Sequence, residues 1–124
     1  AVRWVPENAT MAPRARDYQG GAEGARMSVR THQDLAPALT YRDPSGAQRT
    51  VRFDGVDGNV MIDRKLGVAT YPKTEAQALR QAQALKQNGM RGRWEVPGES
   101  TAAVARRMFT RLGIDNIDVV VVKP

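Results

Sequence analysis

The chain contains no cysteine and a single histidine. Without cysteine there is no disulfide framework and no thiolate metal site, and His32 standing alone argues against a structural zinc site. Long apolar runs are missing too. The longest, VVVV at 119–122, falls far short of the ~20 residues that cross a bilayer. Residues 1–12 lack the apolar stretch of a signal peptide, so the chain reads as a domain cut from something longer. The glycine-rich GGAEG at 20–24 has neither the spacing nor the preceding strand of a phosphate-binding loop. Ser45 and Ser100 have no adjacent base, which leaves no hydrolytic triad. Acids are the minority: 13 Asp and Glu stand against 19 Lys and Arg, for a net charge of +6. Such a balance suits a polyanionic partner such as nucleic acid, an anionic membrane or an acidic protein, and equally a solvated basic surface.

What is present is enough for one core, since 124 residues is the usual size of one domain. Residues 1–12 read as an extended arm pinned by Trp4. Residues 13–25 open with a proline suited to a first helical turn, and Gly20, Gly21 and Gly24 weaken that helix. Residues 26–36 have no clear period. From residue 37 the pattern sharpens. ALTYRD, QRTVRFD and VMIDRK read as three strands joined by turns at Asp43-Pro44-Ser45-Gly46 and at GVDGN, a three-stranded meander. Residues 74–88 start at a Thr cap, stop before Gly89 and carry an apolar stripe of Ala78, Leu79, Ala82 and Leu85, as a helix does. GRWEVP is a short strand, ESTAAVARRMFTRLG a helix closed by Gly113, and NIDVVVV a buried last strand. The expectation is an α/β fold with a central mixed sheet, the meander plus a strand–helix–strand crossover, flanked by helices.

One stretch carries chemistry: VRFDGVDGNVMIDRKL, residues 51–66. Asp and Lys are depleted in strands, and a charge there needs a partner or a task. With Asp57-Gly58 as a two-residue hairpin loop, Val56 pairs with Asn59 and Asp54 with Met61. Asp54, Asp63 and Lys65 then project from one side of the sheet, with the two aspartates diagonal neighbours. Phe53, Val60 and Ile62 take the other side, expected to pack under the helices. Two carboxylates so placed can close on one hard cation, Mg²⁺ first and Mn²⁺ or Zn²⁺ as alternatives, with Lys65 beside them. The plain alternative is a solvated edge with cross-strand charge pairs.

An Asp, then eight residues, then Asp-x-Lys, on a meander flanked by helices, resembles the PD-(D/E)xK nuclease superfamily. Phe53 stands where that pattern has proline, and the second acid is Asp63 rather than Glu. Residues 37–122 further resemble the restriction-endonuclease-fold toxin domains of bacterial polymorphic toxins, the C-terminal domains of contact-dependent inhibition, Rhs and type VI secretion effectors. The resemblance implies one nuclease toxin domain over 1–124, with 1–36 as N-terminal arm and helix and 37–124 as catalytic core. It implies secretion as the C-terminal part of a larger effector, action in the target-cell cytoplasm, and a cognate immunity protein as partner. Asp54 and Asp63 would be the metal ligands and Lys65 the catalytic lysine. The superfamily often adds an acid from its first helix, for which Glu23 is the candidate and Asp17 the second. Some members use a helix Gln or Lys, and of Gln77, Gln81 and Lys86 the choice is Gln81.

Glu95 is either a further site acid or an edge charge, and Trp94 is expected in the core. Arg91 and Arg93 are candidate contacts to a nucleic-acid backbone, with Arg106 and Arg107 behind them. DNA is the first expectation for the substrate and tRNA the alternative. A basic module that binds nucleic acid without cutting it is a further alternative.

Overall fold

The computed structural model describes residues 2–6, 26–28, 33–68 and 72–123. Its elements in chain order are β1 (Arg3–Pro6), β2 (Arg26–Ser28), β3 (Gln33–Arg42), β4 (Gln48–Arg52), β5 (Gly55–Asp57), β6 (Val60–Arg64), α1 (Pro72–Gln87), β7 (Arg91–Val96), α2 (Glu99–Leu112) and β8 (Ile117–Val121). The expected helix over 13–25 lies outside the described residues. The arm is not free: β1 pairs antiparallel with β3, from Arg3 opposite Ala38 to Pro6 opposite Leu35.

The chain is mixed α/β, but its strands form two four-stranded sheets rather than one central sheet. The long β3 carries β1 on one edge and β2 and β4 on the other. The second sheet runs β5-β6-β7-β8. The expected meander therefore breaks at Phe53-Asp54. Phe53 donates its backbone N–H to Pro37 of β3, and Asp54 donates its own to Ile62 of β6, each at 2.8 Å. Backbone N–H groups of consecutive strand residues point to opposite edges, so one extended segment can serve two sheets where the chain bends.

β6, β7 and β8 are parallel, linked by α1 and α2. Two right-handed crossovers in the same direction place both helices on one face. That face carries Met61, Asp63, Gly92, Trp94 and Ile117, as the register requires. Met61, Trp94 and Ile117 join Leu85 of α1 and Met108 and Phe109 of α2 in one core, which continues into Leu39, Tyr41, Val51 and Phe53. Here the expectation is corrected. The helices cover the face of the acids, not the face of Ile62, although Ile62 is itself fully buried. Cβ atoms alternate strictly, but alternation alone does not say which side a later helix covers.

Helix boundaries follow local chemistry. α1 begins at Pro72, where the missing N–H costs nothing, two residues before the expected Thr74 cap. α2 ends on Gly113 in the left-handed conformation, φ 73, whose N–H reaches back to Thr110. The end of α1 is fastened to β3 through Gln87, which both accepts from the Arg42 backbone N–H and donates to its carbonyl, each at 2.8 Å.

Close approach of α1 to β7 depends on Gly92. A Cβ there would stand 2.7 Å from Leu85 Cδ1 and 3.2 Å from Ile117 Cγ1. Leu85 is wholly buried, so moving its side chain aside disturbs the core around it. Gly92→Ala should therefore destabilise the fold by about 1–3 kcal/mol in urea denaturation, the usual cost of overpacking.

Candidate active site

The two-residue loop between β5 and β6 is Gly58-Asn59, with Asp57 opposite Val60 and Gly55 opposite Ile62. Gly58 holds φ 59, a conformation that glycine adopts at little cost. The turn thus sits one residue later than the Asp57-Gly58 expectation. Moving the turn by one shifts the pairing by two, so face assignments survive. Continuing the register one step past Gly55–Ile62 brings Asp54 opposite Asp63, not diagonal to it. Asp54 lies on the bend, and Asp63 on the last turn of the pleat before β6 ends, at the carboxyl ends of parallel β6 and β7. Open α/β sheets place their ligands at that end.

Both acids are nearly buried, Asp54 at 8% and Asp63 at 5% exposure. Their carboxyl groups face each other within hydrogen-bonding reach. Asp54 Oδ2 accepts the backbone N–H of Arg64 at 2.7 Å, which fixes that carboxyl to β6. Asp63 Oδ2 accepts from Gln81 Nε2 at 2.8 Å and lies 3.1 Å from Lys65 Nζ. Lys65 Nζ also donates to Gln77 Oε1 at 2.7 Å and sits 5.1 Å above the Trp94 ring. Gln77 and Gln81, four apart on α1, reach the same place, as their spacing predicts.

Gln81 has no exposed surface. Its Oε1 accepts the Trp94 indole N–H at 2.7 Å. An indole nitrogen can only donate, so the amide oxygen must face it and the amide NH₂ must face Asp63. Trp94 belongs to the core as expected, packed edge-on against Phe109 with centroids 4.8 Å apart. Its role in orienting Gln81 had no signal in the sequence.

Burial, and after it the Asp63 charge, pushes the Asp54 carboxyl up to about 10. Asp63 is lowered: burial works against its ionisation, but the Lys65 ammonium, the Asp54 proton and the Gln81 amide outweigh it. The pair therefore holds one proton through the neutral range, centred on Asp54.

The remaining candidates lie elsewhere. Glu95 faces the opposite side of the sheet, ion-paired with Arg64 and with Arg93, the latter at 3.0 Å. It does not join the acid pair, and Arg93 is turned away from the carboxylates. Arg91 opens β7 at its amino end, three residues before Trp94, and pairs with Asp118 at 3.1 Å. Arg106 donates to the Val119 carbonyl and Arg107 is exposed on α2. The structure brings none of these four arginines to the acid pair. Lys86 is exposed in the last turn of α1. Glu23, Asp17 and His32 lie outside the described residues.

Among the described residues no three acids or histidines gather in one place, and no helix is long and apolar enough to cross a membrane. Compared with known proteins, the chain matches no family model, no curated protein and no solved structure.

The pair fixes a pH dependence. Between the ordinary carboxylate range and about 10, Asp54 binds its proton in the folded chain but not in the unfolded one, so stability falls as pH rises. Asp63 acts oppositely: its contribution is present above the unfolded value and is lost as pH falls through the lowered one. Asp54→Asn keeps an acceptor for Arg64 and puts a permanent N–H where the shared proton lies. In urea denaturation with EDTA, the variant should gain stability over the parent as pH rises from 5 to 9, by up to about 1.4 kcal/mol per pH unit. A difference that does not change with pH would contradict the shared proton.

Proposed function

We propose that the chain is a metal-dependent endonuclease that hydrolyses phosphodiester bonds, with Asp54, Asp63 and Lys65 at its centre and Gln81 as the positioning residue. The observation that carries this reading is the buried pair of facing carboxyls with an ammonium 3.1 Å from one of them. The donor set fits a small hard cation. It offers carboxylate oxygens only, two of them suffice for an ion that keeps several waters, and like charges this close call for positive charge between them. The nitrogen and sulfur donors that zinc prefers are not among them.

When bound, such a cation polarises a phosphodiester and lowers the pKa of a coordinated water. The chain's own residues do the rest. Asp54, its proton lost to solvent, would serve as one ligand while the Arg64 N–H keeps it anchored. Asp63 is kept ionised by Lys65 and aimed by Gln81, whose orientation Trp94 holds. Lys65, partly exposed above Trp94, offsets the charge that grows on phosphate oxygens in the transition state and can orient the attacking water.

The finer reading follows the sequence resemblance alone: a PD-(D/E)xK toxin domain, delivered as the end of a larger effector, cutting DNA or tRNA in a target cell and neutralised by an immunity protein. The split between two sheets at Phe53-Asp54 is compatible with it, since the bend puts Asp54 against β6.

Single-turnover cleavage at saturating enzyme, with Mg²⁺ or Mn²⁺ supplied and plasmid DNA or total tRNA as substrate, tests the proposal. Asp63→Ala should abolish cutting, and Lys65→Ala should slow it on the order of 10²-fold. Cutting of both substrates at the parent rate by both variants would remove the acid pair from catalysis.

A further inference from the structure

The four arginines expected to hold nucleic acid are away from the acid pair, and the helix that supplies Gln77 and Gln81 carries cations of its own. On α1, Lys73, Arg80 and Lys86 are exposed and have no partner among the described residues. The helix has one acid, Glu75, and Arg111 of α2 engages it. Its outer face is thus basic without compensation. The amino end of β7 differs: there Arg91 is answered by Asp118 and by the Asp115 carbonyl.

The placement of these cations is specific. Lys73 precedes Gln77 by four residues and Arg80 follows it by three, so both flank Gln77 on the helix surface. Gln77 in turn holds the Lys65 ammonium. From Lys73 to Arg80 is about 10 Å along the axis, roughly three base-pair steps. Arg80 itself lines a cleft of about 480 Å³ between α1 and the β3–β4 hairpin, with Tyr41, Thr50, Arg49 and Gln83. Asp43 also lines the cleft, and its ion pair with Arg49 at 2.9 Å leaves neither charge of the hairpin uncompensated, so the free cations here are those of α1.

We infer that the outer edge of α1, with Lys73 and Arg80, is the track that holds the phosphodiester backbone of a nucleic-acid strand and leads it to Lys65. The inference rests on the nuclease reading for what happens at Lys65, but the track binds without cleavage. Two cations without acid partners, bracketing the residue that touches the site lysine, are what a backbone contact needs: charge, exposure and register.

The test measures binding in EDTA by fluorescence anisotropy, with labelled duplex DNA and labelled RNA as separate arms, over a salt series. Each duplex phosphate contact contributes about 0.9 to the slope of log affinity against log salt, and each single-strand contact about 0.7. Lys73→Ala/Arg80→Ala should reduce the slope by about 1.4–1.8 and weaken binding tenfold or more at low salt on whichever acid is the ligand. Arg91→Ala and Arg107→Ala should leave both values near the parent's. Equal losses from those controls would reduce the track to a general basic field and overturn it, as would unchanged binding by the double variant or no binding of either acid. Binding that depends on the track in a chain that never cuts would sink the nuclease reading and leave the track standing.

Discussion

Two carboxyl groups held against each other away from water repel unless a proton or a cation lies between them. Asp54 and Asp63 are in that position, and much of the neighbouring structure serves to keep them there. The Arg64 N–H pins one, and Gln81 and Lys65 hold the other. Trp94 holds Gln81, Gln77 holds Lys65, and both glutamines come from α1, which can lie so close only because position 92 lacks a side chain. The arrangement costs stability that a plain apolar packing would not, and proteins keep such costs where a site requires them.

The same elements explain why charge is divided between two faces. Alternation along β6 sends Asp63 under the helices and Arg64 to the far side, where Arg64 meets Glu95 and Arg93. Glu95 is almost fully buried, yet its charge is satisfied by two guanidiniums. Asp54 and Asp63 have one ammonium between them. A buried acid answered by two cations is a structural pair, whereas two acids sharing one cation have room for another.

The site was more legible than the fold around it. Asp54, Asp63 and Lys65 share a side for reasons of period alone, and Gln77 and Gln81 share a helix face for the same reason. From residue 37 onward both described helices and every strand but β5, which falls inside the GVDGN stretch read as a turn, are recognisable from their turn and cap residues. What periodicity does not reveal is tertiary. It did not show that the segment around Phe53-Asp54 changes sheets, because consecutive N–H groups may serve different neighbours. It did not show that the helices cover the acid face, or that the loop is Gly58-Asn59 rather than Asp57-Gly58. Nor did it separate Arg91 and Arg93 from the site, because pairing with Asp118 and Glu95 depends on strand register. Residues 2–6 gave no period, since β1 is held by its pairing with β3.

Central to the proposed function is that a proton between Asp54 and Asp63 holds the place a cation would take. It is tested most directly by counting protons as the cation binds. Titration calorimetry of Mn²⁺ or Mg²⁺ at pH 7, repeated in buffers of different ionisation enthalpy, gives that number. The account predicts release of about one proton per ion bound by the parent chain, and none for Asp54→Asn. Ion binding without proton release, or binding to the parent and to Asp63→Ala alike, would contradict it.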